Sequence, residues 1–195
     1  MYHNPADFEF EKAKYSQLAF SDSGKNLGFV VDTDTTKIQI RPNALFHWKE
    51  GETKAAQLVD SKTSPEGYLV SSDGKVSFSK DESKLFFGLR KPPVIKDTTR
   101  TAEEISNVEV WTYDEPRLYT VQELQLKNDT IRSYQSAIQL NSNTLVQLAT
   151  TDYPNVSLGN EGNAAVALLN TSLPYQLQSQ WEGGTYRDYA LVDIS

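Results

Sequence analysis

Hydrolysis by a side chain needs a nucleophile, a base within hydrogen-bond reach of it and donors for the developing oxyanion. In these 195 residues the base is the scarce part, because there are two histidines and no cysteine. His3 stands in a polar leading stretch. His47 stands in the apolar run Leu45-Phe46-His47-Trp48, where a residue at the rim or core of a strand is expected rather than a base. No Gly-x-Ser-x-Gly elbow occurs. Ser72-Asp73-Gly74-Lys75 has the Ser-x-x-Lys spacing. That chemistry places Ser and Lys one helical turn apart, whereas Asp-Gly marks a hairpin turn. A turn is expected there, and no catalytic residue is assigned.

Metal and ligand groupings are equally sparse. Asp32-Thr33-Asp34-Thr35-Thr36 opens like a calcium loop. Its sixth position is Lys37 where the sharp turn wants Gly, and its twelfth is Asn43 where Glu should close the site. A polar turn is expected, with no metal and no cofactor. Glu103-Glu104 and Tyr113-Asp114-Glu115 each place two carboxylates together, which would hold an ammonium group if both were desolvated. Both lie in charged stretches, where solvated side chains are the expectation. Trp181-Glu182-Gly183-Gly184-Thr185-Tyr186 offers aromatics to a sugar or partner, but core packing of Trp181 beside a Gly-Gly turn is the simpler expectation. Asn128, Asn155 and Asn170 each begin an Asn-x-Ser/Thr triplet, and in so Ser/Thr-rich a chain these carry no weight.

The elements around these residues read as strands. Tyr15–Phe20, the turn Ser21-Asp22-Ser23-Gly24-Lys25 and Leu27–Val31 make a hairpin signature. Ile38-Gln39-Ile40 alternates as a further strand, followed by Leu45–Trp48 and Gln57–Asp60. The pattern then restarts: Phe20, Leu27 and Phe29 are answered 58 positions on by Phe78, Leu85 and Phe87. Trp48 is matched with Trp111 in the expected strand Val108-Glu109-Val110-Trp111, beyond a charged insert over Lys91–Asn107. A third start runs from Val156-Ser157-Leu158 through Ala164–Leu169 to Tyr189–Asp193. One helix is a candidate, Asp114 to Lys127, with its acidic start, Pro116 and Leu118, Val121 and Leu124 in spacing.

Repeated strand pairs in fixed order predict an all-β protein with about three blades of a β-propeller, each a four-stranded antiparallel sheet, and one inserted loop or short helix. The divisions are a leading segment, 1–14, and a partial propeller, 15–195, in units 15–60, 61–150 and 151–195. Three blades leave apolar sheet faces uncovered, so either sequence outside this stretch completes the ring or copies of the chain associate, and the first is the expectation. Composition fits a globular protein, with 38% hydrophobic and 23% charged residues. A net charge of −7 with scattered Lys and Arg argues against nucleic acid. No apolar run reaches membrane-spanning length.

Phe78-Ser79-Lys80-Asp81-Glu82-Ser83-Lys84-Leu85-Phe86-Phe87-Gly88, Pro92, Asp97-Thr98, Val108–Trp111 and Asp114-Glu115-Pro116-Arg117-Leu118 resemble the N-terminal propeller of bacterial prolyl oligopeptidase-family proteins. Pro174-Tyr175, Trp181-Glu182-Gly183-Gly184 and Tyr186–Asp193 are similar to its next blade, and the resemblance covers most of 15–195. Two turns depart from the family's Pro-Asp-Gly, with Asp22-Ser23-Gly24 in one and Lys80-Asp81-Glu82 in the other. The resemblance implies a non-catalytic segment that packs on a C-terminal α/β-hydrolase domain and gates peptide access. The Ser, Asp and His of catalysis belong to that second domain, so this chain alone should hydrolyse nothing. It also implies a periplasmic or extracellular setting, and likens Glu103-Glu104 to the glutamate pair with which dipeptidyl peptidases hold a substrate's amino terminus. The alternative is a TolB-like propeller module that binds proteins without hydrolase activity.

Overall fold

Side chains two apart in a strand share a face, so the alternation of the first hairpin sorts its residues between two sides of a sheet. The computed structural model describes residues 13–32, 34, 36, 38–95, 99, 112 and 114–195. Within it β1 (Lys14–Phe20), β2 (Asn26–Asp32), β3 (Asn43–Lys49) and β4 (Ala56–Val59) form sheet A, an antiparallel meander in chain order. The residues Ile38, Gln39 and Ile40, expected as a strand, precede β3 without joining the sheet. Three residues, only two of them apolar, are too short a run to hold a ladder position against the longer Asn43–Lys49 segment.

Sheet B repeats the meander with a broken first strand. β5 (Leu69–Val70) and β6 (Ser77–Phe78) both pair with β7 (Lys84–Arg90), which is followed by β8 (Tyr134–Gln139) and β9 (Thr144–Gln147). Residues 72–75, expected as a hairpin turn, lie instead in a bend that interrupts one strand position, since both flanks pair with β7. The bend crosses close over β7: a Cβ on Gly88 would lie 2.5 Å from the Gly74 Cα. Only two glycines allow that approach. Sheet C is β10 (Asn155–Leu158), β11 (Val166–Thr171) and β12 (Asp188–Asp193).

The third strand of sheet B is β8, and Val108–Trp111, expected in that role, lies outside the described residues. In the ladder Ile138 stands opposite Leu85 as Trp48 stands opposite Leu27, so Ile138 holds the place that the sequence reading gave to Trp111. Between β7 and β8 comes α1 (Tyr119–Thr130), starting later than the expected Asp114. None of its residues is buried. It is held at its base by an Arg117–Asp129 ion pair at 2.8 Å and by Gln180 Nε2 donating to the Pro116 carbonyl at 2.8 Å.

The sheets pack face to face in chain order. Val30, Leu45 and Val59 of sheet A meet Val70, Val76, Leu85, Phe87, Leu89 and Ile138 around sheet B. The other face of sheet B, with Phe86, Ala137 and the adjoining Leu148, meets Ala167 and Ile194, with Leu158 and Val192 against them. Leu85, Phe87 and Leu89 are fully buried, each stabilising the stack by about 1.5–3 kcal/mol. Sheet A also buries Phe29, Val31, Ala44 and Phe46 on the face turned from sheet B, with the Phe29 and Phe46 rings stacked at 5.8 Å.

The turn between first and second strands follows one hydrogen-bond pattern in all three sheets. Gly24 N donates to Ser21 O, Glu82 N to Ser79 O, and Gly162 N to Gly159 O. The fourth residue takes positive φ each time: +73° at Gly24, +59° at Glu82 and +87° at Gly162. Departure from Pro-Asp-Gly therefore leaves the turn intact, at the cost of a strained Glu82. That glutamate ties sheet B to sheet A, accepting from Ser23 N at 2.7 Å, Ser23 Oγ at 2.9 Å and Asn26 Nδ2 at 2.8 Å. Beside it Lys80 pairs with Asp22. Sheet B is tied onward to sheet C by Lys80 N donating to Glu161 O and Asp81 N to Asn163 Oδ1.

Candidate functional site

At the opposite end of the strands, cavities open between successive sheets. The larger, of about 390 Å³, lies between sheets A and B and is lined by Lys14, Ser16, Asp32, Asp34, Arg41, Asn43, Ser72 and Arg90, with Ala13. Its walls are the start of β1, the end of β2, the start of β3 and the end of β7. Two hydrogen bonds across the junction fix its floor: Gln17 Nε2 to Ser72 O at 3.0 Å and Asn43 Nδ2 to Val70 O at 3.2 Å. A bulge between Ser16 and Ala19, with Gln17 at φ +56°, turns Gln17 toward sheet B. A second cavity, of about 380 Å³, lies between sheets B and C, against Lys75, Ser77, Gly88, Ser133, Gln135 and Asn155.

The larger cavity is charged, and its charges are unevenly satisfied. Arg41 Nη1 donates to the Asp34 carbonyl at 3.0 Å and lies 3.4 Å from Asp32 Oδ2. Asp32 Oδ1 accepts from Asp34 N, and Asp34 Oδ1 accepts from Thr36 N and Oγ1, both at 2.6 Å. Those Thr36 bonds hold the Asp34 carboxyl below the usual range. The two aspartates of the calcium-like run thus build a turn and anchor an arginine. Arg90 is different: its Nε is buried with no hydrogen-bond partner.

The other sequence candidates are dispersed. His47 is half-buried, with Nε2 at 3.0 Å from Asn26 Oδ1 and its ring 6.1 Å from that of Phe78. Burial pushes its pKa down, and it stands in β3 facing sheet B, away from the cavity-lining serines. Ser72 and Lys75 sit in the bend of the broken strand, each on a different cavity. Glu103-Glu104 and Tyr113 lie outside the described residues, and Asp114 and Glu115 are exposed. Trp181, expected in the core, is 84% exposed; it follows the short helix α2 (Gln176–Ser179), whose Gln178 carbonyl takes its backbone N–H at 3.0 Å. The Tyr175 hydroxyl donates to Asp188 Oδ1 at 2.6 Å.

Sequence reasoning missed the cavity because its walls come from five separated stretches. One signal was available: Asp32 and Arg90 are 58 positions apart, the same offset as the repeat, and both are charged residues closing a second strand. By its fold, the protein is an all-β, propeller-like stack of three antiparallel sheets. No family model matches the chain, and a search of curated proteins found no match either.

Proposed function

We propose that this chain is a non-catalytic propeller segment of a prolyl oligopeptidase-like serine hydrolase, which packs against the hydrolase domain and gates peptide access. The observation that supports the reading is the directional stacking of the sheets. Sheet B turns one face to sheet A and the other to sheet C, and is covered on both. The successor face of sheet C bares four apolar side chains, Val166, Leu168, Tyr189 and Leu191, which are 47%, 38%, 60% and 71% exposed, with Asn155, Ser157, Asn170 and Asp193 around them on the same face. An antiparallel sheet with one solvated face normally alternates apolar and polar. Here the central residues of β11 and β12 are apolar toward both sides while Asn170, Thr171, Asp188 and Asp193 at the strand ends are polar, which fits a sheet whose centre is covered twice. A larger ring-like assembly supplies that cover, and a peptidase cap is one such assembly.

The test is to label lysate of the source cells with a fluorophosphonate probe and blot it with antibody raised against this chain. The expected result is a band several times larger than 21.9 kDa that carries both signals. A large band without label overturns the hydrolase reading in favour of a TolB-like binding module. A band at 21.9 kDa overturns the gating role itself.

A further inference from the structure

A sheet edge offers unpaired N–H and C=O groups to any further strand, and proteins blunt such edges with bulges, short strands, Pro or Lys. Among the described residues, every edge of the three sheets but one is blunted. β1 carries the bulge between Ser16 and Ala19. The first strand of sheet B is broken between β5 and β6, and β4, β9 and β10 are only four residues long. β12 is the exception. Its six residues pair with β11 in one unbroken register. Between its terminal aspartates the edge reads Tyr189-Ala190-Leu191-Val192, with neither Pro nor Lys.

The backbone groups presented by this edge follow from one bond. Ile194 N donates to the Ala165 carbonyl at 2.7 Å, and these two residues are opposite when the β11–β12 register is carried one step on. Antiparallel pairs alternate between bonded and non-bonded. Val192, Ala190 and Asp188 therefore bond to β11, while Asp193, Leu191 and Tyr189 turn their N–H and C=O outward. No other described strand meets them. In sheets A and B the same side of the third strand is taken by an antiparallel fourth, β4 on β3 and β9 on β8.

We propose that two copies of this chain pair through β12, antiparallel about a twofold axis, so that each supplies the fourth strand of the other's sheet C. The strand is complementary to itself. In the register that joins every outward group, Leu191 stands opposite its own counterpart, Tyr189 opposite Asp193 and Ala190 opposite Val192. No like charges are directly opposite, and apolar side chains meet on both faces. The pairing forms about six backbone hydrogen bonds, two for each bonded pair, and an isologous contact of this kind closes at two copies. A sheet stacked on the face of sheet C leaves this edge open, so the pairing does not rest on the peptidase reading.

Sedimentation and amide hydrogen exchange of the 195-residue chain, each over a range of concentrations, test it. A species of twice 21.9 kDa should grow with concentration. With it the amides of Tyr189, Leu191 and Asp193 should pass from fast to slow exchange, while those of Ala190 and Val192 stay slow throughout. Leu191→Pro removes one outward N–H without touching a bond to β11, and should weaken the pairing about tenfold or more. Leu168→Lys, on the face but not at the edge, should leave it nearly unchanged. If Leu191→Pro fails to fold, the exchange pattern of the unaltered chain decides alone. Slow exchange of the three amides at every concentration overturns the proposal, because the edge is then already covered. Association lost in Leu168→Lys and kept in Leu191→Pro overturns it in favour of the face. A chain that stays monomeric also overturns it, and slow exchange of the three amides only in the protein isolated from its source then assigns the edge to a foreign strand.

Discussion

Glu82 shows how a single residue carries a junction between sheets. Glycine occupies its position in the other two turns, and a left-handed φ favours glycine. The glutamate accepts that strain and in return caps Ser23 and Asn26 across the junction. Two substitutions separate the effects. Glu82→Ala keeps the strain and removes the ties, so its thermal midpoint should fall clearly below wild type. Glu82→Gly removes both, and its midpoint should lie between the two. An Ala variant at least as stable as the Gly variant would show that strain is negligible here. The neighbouring Asp81 sets a pH dependence. Bonds from Ser79 Oγ and from the Ser83 amide and hydroxyl hold its carboxyl at about 2, against an ordinary 3.8. A depressed carboxyl stabilises the fold above its unfolded pKa, and that contribution disappears as pH falls through the folded value. Stability should therefore decline between pH 3.8 and about 2, and Asp81→Asn should flatten that decline in urea melts taken at each pH.

Elements differ in how much tertiary packing holds them. The bend over β7 depends on the Gly74–Gly88 approach, so Gly88→Ala should force the backbone apart and destabilise the protein by about 1–3 kcal/mol. By contrast Leu124 on α1 is 83% exposed, and Leu124→Ala should change stability by less than about 0.5 kcal/mol. Urea unfolding of the two variants makes the comparison, and equal effects would contradict the packing described. The same contrast explains what the sequence made legible. Apolar runs with a turn at one end were readable, as in β1, β2, β7 and β10 to β12. β8 was not, because Tyr134-Gln135-Ser136-Ala137-Ile138-Gln139 mixes buried Ser and Ala with polar neighbours, and nothing local marks it as central. The broken strand was misread because Asp-Gly signals a turn without saying whether a hairpin or a bulge follows. The cavity was invisible for a further reason. Its residues meet only through the register of two sheets, and no short window of sequence contains more than a few of them.

At the scale of the molecule, the exposed face of sheet C separates an isolated stack from part of a larger one. Leu168 and Leu191 are directly paired across β11 and β12, at the centre of that face. If solvent is its natural environment, replacing both with Lys should be neutral everywhere. If a further sheet covers it, the result depends on context. In the chain by itself Leu168→Lys with Leu191→Lys should leave the thermal midpoint nearly unchanged, because neither side chain is buried, and should suppress any self-association seen by sedimentation, since exposed apolar sheet faces and edges pair with copies of themselves. In the protein isolated from its source the same pair should lower the midpoint substantially, as two lysines forced into an apolar interface must be desolvated. A double variant that is neutral in both settings would mean that the face is solvated, and the stack of three sheets would then stand without a successor.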